Sequence, residues 1–414
     1  MTVDPVQAQY EAFPYPERDP ADEDRRLVEG SPSALAEILH HLHGGRLDRG
    51  RRFRALFAGG GTGDGAIMLA EQLRRAGFSD ARVLHLDLSE SAQAVARARA
   101  ARRGLDSIDF HLGSLLDAAG LGGAPFDYID CCGVLHHLPD PAVGLRALAA
   151  ALAPGGGLGL MVYGALGRRG VYDVQAAVRA LIPDEAPPAE RLALGERLVK
   201  GLPPTNWLAR NPFVTDHRSG GRAGLYDLLM HTRDRAYEVG DVRALLDAAG
   251  LDLVTWVPAL RYRPALYLAD PVLKARAARL DPWAAAALAE RLAGNLTKHV
   301  FYVGTASAGD TGRAADPSDT ALVPHAVRVD AGALARAVSA DGRLGFKADG
   351  LDLALGLPRA ARAVLSRIDG RRTIAEIMAD LPEPQAAQVP AVLAGLAEAN
   401  LVLLVDGPLT QPAS

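Results

Sequence analysis

From Phe53 onward, short apolar runs alternate with alanine-rich stretches of helical spacing. That alternation is the pattern of a parallel sheet crossed by helices. The apolar runs predict strands at 54–58, 82–88, 108–112, 128–132 and 158–163. Helical spacing fills 66–76, 91–103 and 142–152, with a shorter helical piece near Leu115. Runs at 253–257 and 299–303, separated by a helical stretch at 283–293, extend the expected sheet to seven strands. Ahead of the sheet, Leu35, Ile38, Leu39 and Leu42 share one face of a helix over 33–43, after the proline-punctuated lead Phe13-Pro14-Tyr15-Pro16.

This reading divides the chain into an N-terminal helical cover (1–52) and an α/β domain (53–304). The interval 165–252 is far longer than a crossover needs and is broken by Pro203-Pro204, Asn211-Pro212 and Gly220-Gly221. An insertion of that size beside a sheet is expected to be a helical lid or a substrate-shaping element. Residues 305–325 have little apolar periodicity and read as a linker. Helices at 331–338, 359–368, 373–381 and 388–399, with strands at 351–355 and 401–405, then suggest a small α+β, winged-helix-like domain over 326–414.

Composition narrows the function classes. The 414 residues carry 45 Lys and Arg against 49 Asp and Glu, a formal net charge of −4. From Asp319 onward the counts are 9 and 11, so neither the whole chain nor its last domain offers the positive field that nucleic acid requires. The two cysteines, Cys131 and Cys132, are neighbours, which suits a reducing compartment. No secretory signal is expected at the N-terminus, and the least polar stretch, 147–164, is interrupted by Pro154-Gly155-Gly156-Gly157. A cytoplasmic protein without membrane contact is the expectation.

The strongest local signal is Ala58-Gly59-Gly60-Gly61-Thr62-Gly63, where the first strand runs into a helix. Small residues there let a ligand approach the backbone, although such turns also serve plain packing. Asp87 ends the second strand, where a carboxylate accepts both hydroxyls of a ribose. Its bland alternative is a helix cap, since Ser89 follows. Dinucleotide-dependent oxidoreductases share both features, so the rest of the sheet must discriminate.

The passage Phe126 to Pro141, with Val134-Leu135-His136-His137-Leu138-Pro139-Asp140-Pro141 followed by Leu152-Ala153-Pro154-Gly155-Gly156, resembles the class I S-adenosylmethionine-dependent methyltransferases. Specific motifs cover about 53–164, and a looser likeness reaches Val303. Tyr10-Glu11-Ala12-Phe13-Pro14-Tyr15-Pro16 and Gly294-Asn295-Leu296-Thr297-Lys298-His299 are similar to a bacterial subgroup described only as methyltransferases. The resemblance implies a Rossmann-like sheet and S-adenosyl-L-methionine as cofactor. It also implies cofactor contacts at Ala58, Gly59, Gly61, Gly63, Asp87, Leu88, Ser114, Leu115 and Gly133. Two positions depart from the family pattern: Phe57 stands where a first-strand acid is common, and Ser114 where an acid often follows the third strand. A hydroxyl can bond an adenine nitrogen but lacks the charge assistance of a carboxylate.

Methyl transfer from a sulfonium needs alignment above all, and a base where the acceptor loses a proton. His136 and His137, at the exit of the fourth strand, and Tyr163, at the end of the fifth, are the candidate catalytic groups. Arg169, Tyr172 and Gln175 are candidates for the acceptor side. The dense polar and aromatic run 226–237 reads equally well as a solvated helix end. No metal site is expected, because His40-His41-Leu42-His43 is crowded and reads as a surface helical cluster. The acceptor is expected to be a small molecule or a protein, with protein contact or self-association falling to the C-terminal domain. The alternative is a protein that binds the cofactor as a regulator without turnover.

Overall fold

The computed structural model describes residues 5–46, 48–183, 186–305, 314–348 and 350–410. Its centre is a seven-stranded sheet of β1 (Phe53–Ala58), β2 (Ala81–Asp87), β3 (Ile108–Leu112), β4 (Phe126–Cys132), β5 (Leu152–Tyr163), β6 (Leu251–Trp256) and β7 (Lys298–Thr305). The strand order is β3-β2-β1-β4-β5-β7-β6, and only β7 runs antiparallel to its neighbours. Order reverses between β1 and β4, so their C-terminal ends diverge and open a crevice where doubly wound sheets bind ligands.

Local chemistry sets the elements. The first six residues of β4 are buried, as expected of a central strand covered on both faces. The helix Glu90–Arg102 starts where Ser89 Oγ accepts from Ala92 N–H. The helix Pro141–Ala150 combines an Asp140 cap with Pro at its first position. Between β5 and β6, the helices Val171–Leu181, Pro188–Lys200 and Gly221–Met230 bury Val174, Val178, Leu192, Leu225 and Leu229 in a core of their own. The last part of the expected insertion is different: Val239–Ala249 is the crossover helix feeding β6, and its Val242 and Leu246 join the sheet core.

The C-terminal unit pairs β8 (Val323–Ala326) with β11 (Val402–Val405) and carries a hairpin of β9 (Arg343–Ala348) and β10 (Leu351–Gly356), with helices packed around Leu365, Ile374, Val392 and Leu396. Part of the expected linker, 306–313, lies outside the described residues. The remainder is not linker-like: Ala315 and Leu322 are buried, and β8 already starts at Val323. This unit docks on the helix Leu35–Leu42. There Leu404 N–H donates to His40 Nδ1 at 3.1 Å, which corrects the surface reading of the histidine cluster. His40 and His41 are buried, and desolvation pushes their pKa values down to about 4 and about 3.

Glu37 is the joint between the parts. Fully buried, it accepts from Ser31 Oγ (2.6 Å), Asn400 Nδ2 (2.6 Å), Arg328 (3.0 Å) and Tyr302 OH (3.2 Å). Removing one member of such a network strands the others, so Glu37→Ala is expected to cost about 3 kcal/mol of unfolding free energy. Chemical denaturation measures this, and a loss below about 1 kcal/mol, the scale of a surface pair, would refute the joint.

Candidate active site

The crevice at the switch point is a cavity of about 840 Å³. Its floor is the glycine turn. Gly59 N–H donates to Leu86 O at 2.8 Å, and Gly61 N–H donates to Asp87 Oδ2 at 2.7 Å, while Asp87 Oδ1 accepts from Ser89 N–H at 2.8 Å. Gly59 (φ 79°) and Gly61 (φ 53°) need the left-handed region. A Cβ at Gly59 would lie 2.4 Å from Val134, and one at Gly61 would lie 2.8 Å from the Tyr15 carbonyl, so backbone must stand where side chains cannot.

Among the residues expected at the cofactor, Gly59, Gly61, Asp87, Leu88, Ser114, Leu115 and Gly133 line the cavity. Two do not. Ala58 is 1% exposed inside the sheet, and Gly63 serves close packing, since a Cβ there would meet Ala96 at 2.9 Å. Ser114 also caps the short helix after β3, its Oγ accepting from Leu116 N–H.

Other lining groups carried no motif. Asp130 of β4 sits in register beside Phe57 of β1, so a carboxylate is present one strand over from the missing first-strand acid. It accepts from Ser33 Oγ at 2.5 Å, and burial raises its pKa to about 6. A raised carboxylate pKa stabilises the fold fully below the unfolded value and loses that contribution as pH rises through about 6. Set against the ordinary 3.8, the native state therefore carries a penalty of about 3 kcal/mol at neutral pH. Asp130→Asn is expected to raise the denaturation midpoint at pH 7.5 much more than at pH 4. Equal shifts at both pH values would show that ionisation is not the cause.

The cavity is roofed by the N-terminal cover. Thr62 Oγ1 donates to Pro16 O at 2.8 Å, and Arg99, 1% exposed, bonds Thr62 O, Asp64 and the buried Glu23. Arg18 adds a second grip on Asp64 at 2.6 Å.

At the acceptor wall, Asp227 is buried and holds two phenols. Tyr10 OH donates to its Oδ1 at 3.0 Å and Tyr163 OH to its Oδ2 at 3.2 Å. Burial raises the pKa of Asp227 and drives both tyrosines well above the ordinary phenol value. His137 lines the cavity, donates Nδ1–H to Arg233 O at 2.8 Å and stacks on His231 at 3.7 Å. His136 does not reach the cavity: it is 1% exposed and lies behind Tyr163, ring centroids 3.9 Å apart. Arg168, rather than Arg169, lines the wall, with its guanidinium over the Tyr163 ring. Gln175 is buried and bonds Leu228 O and Asp234, while Tyr172 lies outside the lining. The run 226–237 is thus an inner wall and not a solvated end: Tyr226, Asp227, His231 and Tyr237 are all buried.

A methyltransferase-domain family model matches residues 56–158. An uncharacterized protein of Synechococcus sp. is 32% identical over 309 residues, covering 72% of this chain and 71% of that protein. This chain belongs to the class I S-adenosylmethionine-dependent methyltransferases. A ubiquinone biosynthesis O-methyltransferase of Aromatoleum aromaticum is 34% identical over 126 residues, which is 28% of this methyltransferase and 50% of the relative's length. In fold, the methyltransferase is similar to PKMT2 from Rickettsia typhi, solved in complex with AdoHcy, with a TM-score of 0.58 at 11% identity, covering 91% of this chain and 77% of that one.

The residues present fit the cofactor. Asp87 stands at the rim for a ribose diol, Leu88, Leu115 and Val134 give apolar surface for a base, and Ser114 offers a hydroxyl. Asp130 and Lys298 line the cavity with the opposite charges that an amino-acid zwitterion requires. Bound there, S-adenosylmethionine supplies a methyl group already activated on a sulfonium. Among the described residues no helix is long and apolar enough to cross a membrane.

Proposed function

We propose that this methyltransferase is a cytoplasmic enzyme that methylates a hydroxyl oxygen of a small organic acceptor. The observation that carries this reading is the Tyr10–Asp227–Tyr163 set on the wall of a roofed cavity. A hydroxyl becomes a competent nucleophile only as its proton leaves, so O-methylation rewards a positioned base. Asp227 is that base by position. The phenols of Tyr10 and Tyr163 remain protonated, because burial and the adjacent carboxylate both oppose phenolate. A hydroxyl bonded to either phenol oxygen can therefore pass its proton on as the phenol's own proton moves to Asp227.

Arg168 and Arg233 both line the cavity on the side of Asp227, where they can balance a developing oxyanion. A volume of about 840 Å³ accommodates the donor and a modest acceptor together. The partial likeness to O-methyltransferases points the same way, and two free cysteines suit a reducing compartment.

The test is mass spectrometry of reactions with labelled methyl donor and a panel of phenols, enols and hydroxy acids, beside amine and peptide panels. Transfer to oxygen is expected. Transfer confined to amines or peptides, by a chain that binds AdoHcy, would sink the reading.

A further inference from the structure

Behind the acceptor wall, three metal-ligating side chains meet with their bonding capacity unused. One ligand atom from each of His136, His137 and Asp234 lies within 4.8 Å of the others. His136 is 1% exposed, and neither ring nitrogen has a hydrogen-bond partner among the described residues. The Asp234 side chain is 0% exposed; its Oδ2 accepts from Gln175 Nε2 at 2.9 Å and faces Arg168 at 3.3 Å, while Oδ1 has no partner. His137 donates Nδ1–H to the Arg233 carbonyl, so its lone pair resides on Nε2. A backbone carbonyl holding one imidazole nitrogen so that the other is presented is the usual outer support of a metal-binding histidine. Buried polar atoms left this way are costly, and their grouping needs a cause.

A neighbouring trio, His137, Asp227 and His231, is equally compact, but outside the shared His137 its ligand atoms are already engaged. Both Asp227 oxygens take phenol protons, and His231 Nδ1 accepts from Arg233 N–H at 3.0 Å. Unused donors single out the first trio.

We propose that His136, His137 and Asp234 bind a divalent first-row metal ion of the zinc class. Two imidazoles and one carboxylate form a borderline donor set, suited to zinc or ferrous ion and poorly suited to magnesium or calcium. Arg168 and Arg233 oppose the added charge, while Asp234 and the nearby Asp227 offset it. The site stands on its own geometry; only its role rests on the hydroxyl reading above. In that role the ion fixes His137, which faces the cavity, and places positive charge beside the oxygen that gives up its proton.

The experiment uses the full chain, stripped with a chelator and titrated with zinc against a chromophoric chelator. One equivalent per chain is expected, with affinity reduced by about 100-fold or more in both His136→Ala and Asp234→Asn. Cobalt(II) bound to the unmodified chain is expected to give the intense visible bands of a four- or five-coordinate site, which keeps the test independent of how the variants fold. No retained zinc in a chain that still binds AdoHcy, zinc bound equally by both variants, or the weak cobalt spectrum of surface octahedral binding would each overturn the proposal. A chain that binds zinc here yet methylates no hydroxyl would keep the site and remove the role assigned to it.

Discussion

Asp87→Ala is expected to weaken AdoHcy binding by at least about 100-fold, on the scale of about 1.5–3 kcal/mol for each hydrogen bond to a charged group. The carboxylate has two functions at once. It closes the turn by accepting from Gly61 and Ser89 N–H, and it stands at the cavity rim where a ribose would present two hydroxyls. Calorimetric titration separates them when Asp87→Asn is measured alongside. Asparagine can still accept one backbone N–H but lacks the charge, so its affinity is expected between wild type and alanine. Unchanged affinity in both variants, with folding intact, would remove Asp87 from the cofactor site.

Asp227→Asn is expected to lower kcat by about 10³-fold while leaving AdoHcy affinity unchanged, since general-base contributions are typically about 10²- to 10⁴-fold. The amide keeps the shape of the Tyr10 and Tyr163 contacts but cannot take a proton. Burial raises the pKa of Asp227, so wild-type kcat is expected to fall as pH drops through that raised value, where the carboxylate becomes protonated. The acid limb should vanish in the variant. Retained kcat, or a variant that keeps the same acid limb, would reassign the base. Tyr163→Phe gives a milder comparison, removing one of the two phenol routes to the carboxylate.

Most of the sheet was legible because strand and helix periods are local. All seven expected strands form, with β4 and β5 starting earlier than their apolar runs suggested: Phe126 pairs with Leu152 ahead of a register shift that takes up Pro154-Gly155-Gly156 before Tyr128 pairs with Gly157. The strand β9 is hard to read from sequence because it is short and Gly345 lowers its strand propensity, although Leu344 and Phe346 keep the two-residue period. The glycine turn and Asp87 were readable for the same local reason. Asp130 was not, because its place beside Phe57 depends on β4 following β1 in the sheet. Nor was the Tyr10–Asp227 contact, which joins positions 217 residues apart without a spacing signal. The density of titratable and aromatic residues at 226–237 was the available clue, and its burial follows only from packing against the cover and the fifth strand. His40 and His41 looked solvated for a similar reason: the β11 strand that covers them is encoded more than 350 residues later.

The roof over the cavity also bears on synthesis. Tyr10 leaves the ribosome long before the partner that fixes it, since Asp227 is translated 217 residues after it. The Pro32 carbonyl meets Tyr128 OH 96 residues on and gains its second donor, the hydroxyl of Tyr302, only 270 residues on. A nascent chain that has completed the glycine turn, Asp87 and Arg99 therefore has a cofactor floor and the part of its roof held through Pro16, Arg18 and Glu23, but not the wall of Asp227, Arg233 and Lys298 that completes the cavity. Ribosomes stalled with the chain emerged to about residue 160 should retain AdoHcy more weakly than those whose emerged chain extends past Thr305, since Lys298 and Thr297 line the cavity. On this order the complete ligand site is expected only late in synthesis, once residues far apart in the chain have met.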